Sequence, residues 1–260
     1  MVPMDLVRPS QSHSTGRFRL VNFLFLGLAL FFLPFQGGCA QQTGGSGEMI
    51  QLPPARTDGL VSVEKAIQGR RSLRNIPGDQ LPLEALAQVL WAGQGVSVPM
   101  EEAPVGFRWE WMGGYRTAPS AGALYPLELY VVVGAVEGLE PGLYRYLPVP
   151  HALEVVREGD SREGLWEAAL RQNAIREAPV TLVFAAVIAR TEAKYGERAE
   201  RYVHIEVGAA AENVYLQCEA LHLGTVFMGA FGDDAVHGEL GLARNQRVFG
   251  IMPLGVDAGG

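Results

Sequence analysis

Cysteine and lysine are both scarce in this chain. Of its 260 residues two are cysteines, Cys39 and Cys218, so no framework of disulfides can hold it together. Two of its 21 basic residues are lysines, Lys65 and Lys194, and the basic residues form no run. With a net charge of −7, the clustered positive surface of a nucleic-acid binder is missing. Familiar phosphate and nucleophile motifs are missing as well. Gly93-Gln-Gly-Val-Ser-Val98 opens like a dinucleotide-binding G-x-G-x-x-G and then fails, and there is no Walker loop and no G-x-S-x-G elbow. His204 and His222 lie eighteen residues apart on one expected helix, about 27 Å along its axis, too far to share an ion. No metal site is expected.

What is present is a globular composition, 48% hydrophobic, with a distinct N-terminus. Arg8, Arg17 and Arg19 precede an apolar stretch, Leu20 to Phe35, and Gln36-Gly-Gly-Cys39 follows. A basic region, an apolar core short of about 20 residues and a small-residue exit describe an export signal, or an anchor if it is not cleaved. The small residues before Cys39 resemble a bacterial lipoprotein signal, in which that cysteine carries the lipid; Gln36 departs from the usual aliphatic residue. A start codon read too far upstream of a cytoplasmic enzyme is the other reading. Residues 1–39 are therefore assigned to signal or anchor and 40–60, rich in Gln, Thr, Gly, Ser and Pro, to a flexible tether. Cys218 falls in an apolar helical pattern and reads as a buried small residue.

The folded region is expected over 61–257. Ser62 suits an N-cap, with Val63, Ala66 and Ile67 on one helical face and Gly69 at its end. Pro82 to Trp91 reads as a helix with Leu83, Leu86, Val89 and Leu90 on one face. Residues Gly95 to Tyr115 read as a loop that includes Trp109 and Trp111, which suit a pocket, a core or an interface. Leu127 to Val133 is a strand, Gly142–Leu147 and His151–Val156 form a hairpin, and Ser161 to Gln172 is a helix. The apolar run Val180 to Ile188 belongs inside a sheet. Ala199 to Leu223 is a long helix whose Gly208-Ala-Ala-Ala211 centre allows close packing, centrally or at a dimer interface. Short strands at Thr225–Gly229 and Val248–Leu254 flank a helix near Asp233–Leu240. Strands and helices without strict alternation indicate an α+β fold, a mixed sheet with flanking helices.

Two segments suit a ligand. Arg116-Thr-Ala-Pro-Ser-Ala-Gly-Ala-Leu-Tyr-Pro126 is poor in bulky side chains and runs into a strand, so it is either a cofactor cradle or an ordinary turn. Arg70-Arg-Ser-Leu-Arg74, if helical, places two guanidiniums on one face beside a hydroxyl, which fits a phosphate; a solvated basic face is the alternative.

Together with Lys194-Tyr-Gly-Glu-Arg198, Arg201-Tyr202, Glu212-Asn-Val-Tyr-Leu216 and Leu223-Gly-Thr-Val-Phe-Met-Gly-Ala-Phe231, these segments resemble, in order, the nitroreductase superfamily. The branch they resemble is the SagB-type dehydrogenases, relatives of peptide thiazoline and oxazoline oxidases. That resemblance implies a homodimer with FMN at the subunit interface and a small-molecule or peptide substrate, with NAD(P)H as a candidate donor. It implies that Arg70, Ser72 and Arg74, with Arg71 beside them, hold the phosphate and ribityl chain. Pro119, Ser120, Ala121 and Gly122 would lie against the flavin from the partner subunit, and Gly229 and Ala230 would offer backbone groups to the ring edge. Gln172 or Asn173 would supply a polar side chain nearby. Lys194 and Tyr195 correspond to candidate proton-transfer residues, and unlike arginine a desolvated lysine can act as a base near neutral pH.

Overall fold

Alternation along two strands sets the layering. β4 (Leu127–Val133) and β7 (Val180–Ala186) pair antiparallel along their whole length, Leu127 opposite Ala186 and Val133 opposite Val180. Successive side chains of a strand point to opposite faces. Leu129, Val131, Val133, Leu182 and Phe184 therefore enter one core, and Tyr130, Val132, Val183 and Ala185 enter another. Every residue of β7 is buried, as its unbroken apolar run requires.

The computed structural model describes residues 47–102 and 113–257. The apolar stretch 20–35, Cys39, Trp109 and Trp111 lie outside the described residues. The sheet has seven strands in the order β1, β6, β5, β4, β7, β9, β8, adding β1 (Met49–Gln51), β5 (Gly142–Leu147), β6 (Ala152–Glu158), β8 (Leu223–Thr225) and β9 (Arg247–Val256). It was expected to be mixed, yet each strand pair is antiparallel. Hairpins join β4 to β5 and β5 to β6, and neither needs a crossover. One face carries α2 (Leu83–Gln94) and the long α6 (Ala199–Ala220), through Leu86, Val89, Leu90, Val203, Val207, Ala210, Val214 and Cys218. The other carries α3 (Arg162–Ala168), α4 (Asn173–Glu177) and α7 (Asp233–Glu239), through Leu165, Ile175 and Val236.

Several expectations are corrected. α1 (Val63–Gly69) is capped by Ser62, whose hydroxyl accepts from the Lys65 amide, but only Ala66 is buried; Val63 and Ile67 face outward. The helix does not continue through Arg70–Arg74. That segment runs without helical bonding beside β8, with the Leu73 amide donating to the Thr225 carbonyl at 2.9 Å. The expected helix from Ser161 to Gln172 breaks at Leu170 and Arg171, whose φ of 59° and 56° end α3, and α4 follows. β7 stops at Ala186, β8 lies two residues earlier than expected, and His222 falls beyond the end of α6. Part of the stretch expected to be a tether is ordered, since β1 pairs with β6. The segment after α2 contains β2 (Val96–Pro99) and β3 (Gly114–Arg116), paired antiparallel.

Candidate functional site

Ser72, Tyr215 and Phe227 form the first neighbourhood. The Phe227 amide donates to the Tyr215 hydroxyl at 2.7 Å, and that hydroxyl lies 3.0 Å from Ser72 Oγ. The Arg70 guanidinium sits over the Tyr215 ring, 5.1 Å from its centroid, with Nε 3.8 Å from Glu212 Oε1. Two segments, one with Arg70 and Ser72 and one with Phe227, thus meet on one phenol carried by α6. Arg71 turns back instead, its Nη1 donating to the carbonyls of Gln68, Gly69 and Arg70 at 2.9, 3.2 and 2.8 Å. It closes the end of α1, as basic side chains at helix C-termini do. Arg74 is exposed, and no described residue bonds to it.

The chain leaving Phe227 makes the second. Met228 exchanges both backbone bonds with Ile251, at 2.8 and 3.0 Å, and Gly229 and Ala230 then emerge exposed. Gln172 Nε2 holds the Ala230 carbonyl at 2.8 Å. Among the described residues the Gly229 and Ala230 amides have no acceptor, so two donors stand open beside the segment that Tyr215 anchors. The Phe227 ring lies where a side chain at position 250 would be, 2.1 Å from a Cβ built on Gly250, and packs on Phe184 at 6.0 Å between centroids. Gly250 is what lets that ring fill the sheet.

The third is the Pro119–Pro126 turn. Gly122 (φ 63°) lies against the end of α5 (Ala189–Tyr195): a Cβ there would stand 2.8 Å from the Tyr195 hydroxyl and 2.9 Å from Lys194 Nζ. The structure therefore brings together Gly122, Lys194 and Tyr195, which are more than seventy residues apart in sequence. Tyr195 packs edge-on against Tyr202 at 4.8 Å, and the Lys194 ammonium is exposed, 5.4 Å from the Tyr195 ring centroid. Ser120 Oγ accepts from the Tyr125 amide at 2.9 Å. Glu206 of α6 lies beneath, 2% exposed, and burial lifts its pKa to about 7.

Two sets of expected residues are each gathered, and no hydrogen bond or ring contact among the described residues joins them. Ser72 and Arg70 share Tyr215 with the segment leading to Gly229 and Ala230. Pro119 to Gly122 instead share a wall with Lys194 and Tyr195. α6 separates them, for Glu206 and Tyr215 are nine residues apart, about 13 Å of helix. Sequence reasoning assigned no role to Tyr215 or Glu206. Both occupy the apolar stripe of α6 with Val203, Val207, Ala211 and Cys218. A phenol and an acid on a buried helical face were the available signal, since such groups need partners.

A sheet with helices on both faces and one long helix define an α+β fold, and within it the basic segment, the open backbone donors and the small-residue turn are the groups that suit a cofactor. The nitroreductase family model matches residues 67–256. A protein of Methanocaldococcus jannaschii that carries a nitroreductase name is 39% identical over 206 residues, covering 79% of this chain and 95% of that protein. A crystal structure from Ralstonia eutropha, described as a nitroreductase, is 32% identical with a TM-score of 0.67, covering 84% of this chain and 93% of that one. The NADPH:FMN oxidoreductase of Vibrio harveyi, solved with NAD+, shares the fold at 19% identity and a TM-score of 0.51, over 75% and 69% of the two chains. The chain belongs to the nitroreductase family, a family of oxidoreductases.

Tyr215→Phe removes the acceptor of the Phe227 amide and the partner of Ser72 while keeping the ring under Arg70. The expected loss is on the order of 1–3 kcal/mol, read from urea unfolding. An unchanged midpoint would show that the hydroxyl holds nothing.

Proposed function

We propose that this chain is an FMN-dependent oxidoreductase of the SagB-type branch, working as a homodimer on a small-molecule or peptide substrate. The hydrogen-bonded chain from Ser72 through Tyr215 to Phe227 carries the reading, because it fixes the basic segment relative to the open amides at Gly229 and Ala230. Arg70 and Arg74 would meet the phosphate, since guanidiniums present paired donors to its oxygens. Ser72 would meet the ribityl chain, and Gly229 and Ala230 would donate to the ring edge. Arg71 contributes by fixing the turn from which Arg70 projects. Gln172 steadies the Ala230 peptide. Bound there, FMN would supply hydride transfer, leaving this chain to bind, orient and exclude water.

Completion by a second copy is supported by the separation of the two gathered sets along α6 and by apolar surface left uncovered. Val63, Ile67 and Ile205 are 57%, 58% and 60% exposed, and a Cβ on Gly208 of α6 would meet nothing within 4 Å. A partner packed over these residues would bring its own Pro119–Gly122 turn to the cradle. The same contact would desolvate Lys194, exposed in the single chain, and so give it the character of a base.

A general NAD(P)H-dependent nitroreductase is the second reading, favoured by the exposure of Lys194; a flavin- or ligand-binding lipoprotein without catalysis is the third. The purified protein is expected to be yellow, and Arg70→Ala with Arg74→Ala is expected to lose most of the flavin. Full flavin absorbance in that double variant would overturn the cradle.

Chemistry separates the readings. On a substrate whose oxidation breaks a C–H bond beside nitrogen, Lys194→Arg is expected to keep flavin and lose about 10²–10⁴-fold in turnover, the usual worth of acid–base help. Tyr195→Phe tests the adjoining hydroxyl. Wild-type rates in both variants with flavin bound would favour the general nitroreductase.

We also propose that the mature protein is exported and membrane-associated, through lipid on Cys39 or through the uncleaved stretch 20–35. No helix among the described residues is long and apolar enough to cross a membrane. Mass spectrometry of the membrane fraction is expected to find either a lipidated chain beginning at Cys39 or the full chain. A full-length protein confined to the cytosol would refute both anchors.

A further inference from the structure

Among the described residues, Glu206 is the only buried carboxylic acid. It sits on the core-facing side of α6 beside Val203, Val207 and Ala210, under the Pro119–Pro126 turn. Burial raises its pKa, against weaker opposing effects from the Ser120 hydroxyl, the Leu127 amide, the Gln94 side chain and, least, the Arg116 charge. The approach of Gln94 is not an aligned bond: Glu206 Oε1 and both polar atoms of the Gln94 amide make no hydrogen bond of good geometry among the described residues. A carboxylate can only accept, so it could satisfy the amide nitrogen and would leave Gln94 Oε1 without a donor. A neutral acid donates and accepts, and matches both ends of the amide.

The turn above is held in backbone conformations that L-residues seldom adopt, with φ of 63° at Gly122, 52° at Ala123 and 43° at Tyr125. Its ties are few. The Tyr125 amide donates to Ser120 Oγ at 2.9 Å, the Arg116 amide to the Tyr125 hydroxyl at 3.1 Å, and Arg190 Nη1 to the Tyr125 carbonyl at 3.1 Å. Ser120 belongs to both the turn and the surroundings of the acid. The charged and titratable groups around Glu206 are Arg116 from β3 and Tyr125 from the turn, with Arg190 and Tyr146 acting on Arg116 from behind. Arg116 directs Nη1 to the Gln94 carbonyl at 3.2 Å and lies over the Tyr125 ring at 5.2 Å.

We propose that Glu206 is the positioning residue of this turn, a proton-operated latch: the neutral acid keeps the turn seated on the Gln94–Glu206 pair, and ionisation draws water beneath it and loosens Gly122 from Lys194 and Tyr195. The sign follows from linkage. The seated state binds the proton with a pKa of about 7, whereas a solvated glutamate has one of about 4.3. Seating is therefore strongest with the proton bound, and what Glu206 adds to stability is complete below about pH 4.3 and lost as pH rises through about 7. One proton limits the change in the opening equilibrium to about tenfold per pH unit.

Amide hydrogen exchange on the full chain, read by mass spectrometry over the peptide 117–127 and normalised for intrinsic exchange, tests this on both sides of about pH 7. Wild-type exchange is expected to rise with pH, by up to about tenfold per unit, as pH approaches about 7 from below and to level off above it, while Glu206→Gln stays at the protected level throughout. A flat wild-type profile, or a variant that follows the wild-type rise, overturns the latch. Should the variant not fold, infrared titration of the wild type serves: the carbonyl band of a protonated buried acid is expected to vanish with the midpoint of the exchange rise, and a different midpoint overturns the proposal. Exchange reports the turn with or without flavin, so failure here leaves the FMN reading standing, and a colourless protein leaves this test intact.

Discussion

One phenolic oxygen fixes the geometry on which the proposed cradle depends. Tyr215 Oη takes the Phe227 amide proton at 2.7 Å and meets Ser72 Oγ at 3.0 Å, while its ring lies under Arg70. Without it, the segment after α1 and the segment after β8 would be joined mainly by the single backbone bond from Leu73 to Thr225. Tyr215 can hold this position because α6 is itself fixed, its Val207, Ala210, Val214 and Cys218 buried on the sheet. Packing of α6 is thus the cause, and the meeting of Arg70, Ser72 and the Phe227 amide on Tyr215 its consequence.

The same helix distributes the chemistry. Its first half covers Glu206 and the small-residue turn, its second half carries Glu212 and Tyr215, and the turns between them keep the two apart. Were a flat cofactor to touch both, turn and basic segment would have to come from different copies of the chain, and the exposed Val63, Ile67 and Ile205 would then have a physical use. The turn combines strained backbone with a buried acid. Groups of that kind are retained where position matters more than stability.

Much of the architecture was legible from local pattern. The apolar strand Leu127–Val133, the unbroken run at Val180–Ala186, the Ser62 cap and the length of α6 all follow from residue types and spacing. The errors arose where tertiary contacts overrode local preference. Arg70–Arg74 reads as helical, yet pairing of Leu73 with Thr225 extends it. Leu170 and Arg171 are good helix formers, yet adopt left-handed backbone so that α4 can cover β7 and β9. Which of the nominated residues meet was not legible in the sequence. No spacing rule relates Gly122 to Lys194, and only the fold shows that Tyr195 and Lys194 close over it.

The central claim, a flavin held between two copies of this chain, is tested most directly by sedimentation velocity followed at both protein and flavin absorbance over a dilution series. Flavin sedimenting only with the dimer, and released as dilution produces monomer, is the predicted result. Flavin travelling with a monomer, or a dimer that forms fully and carries none, would contradict it.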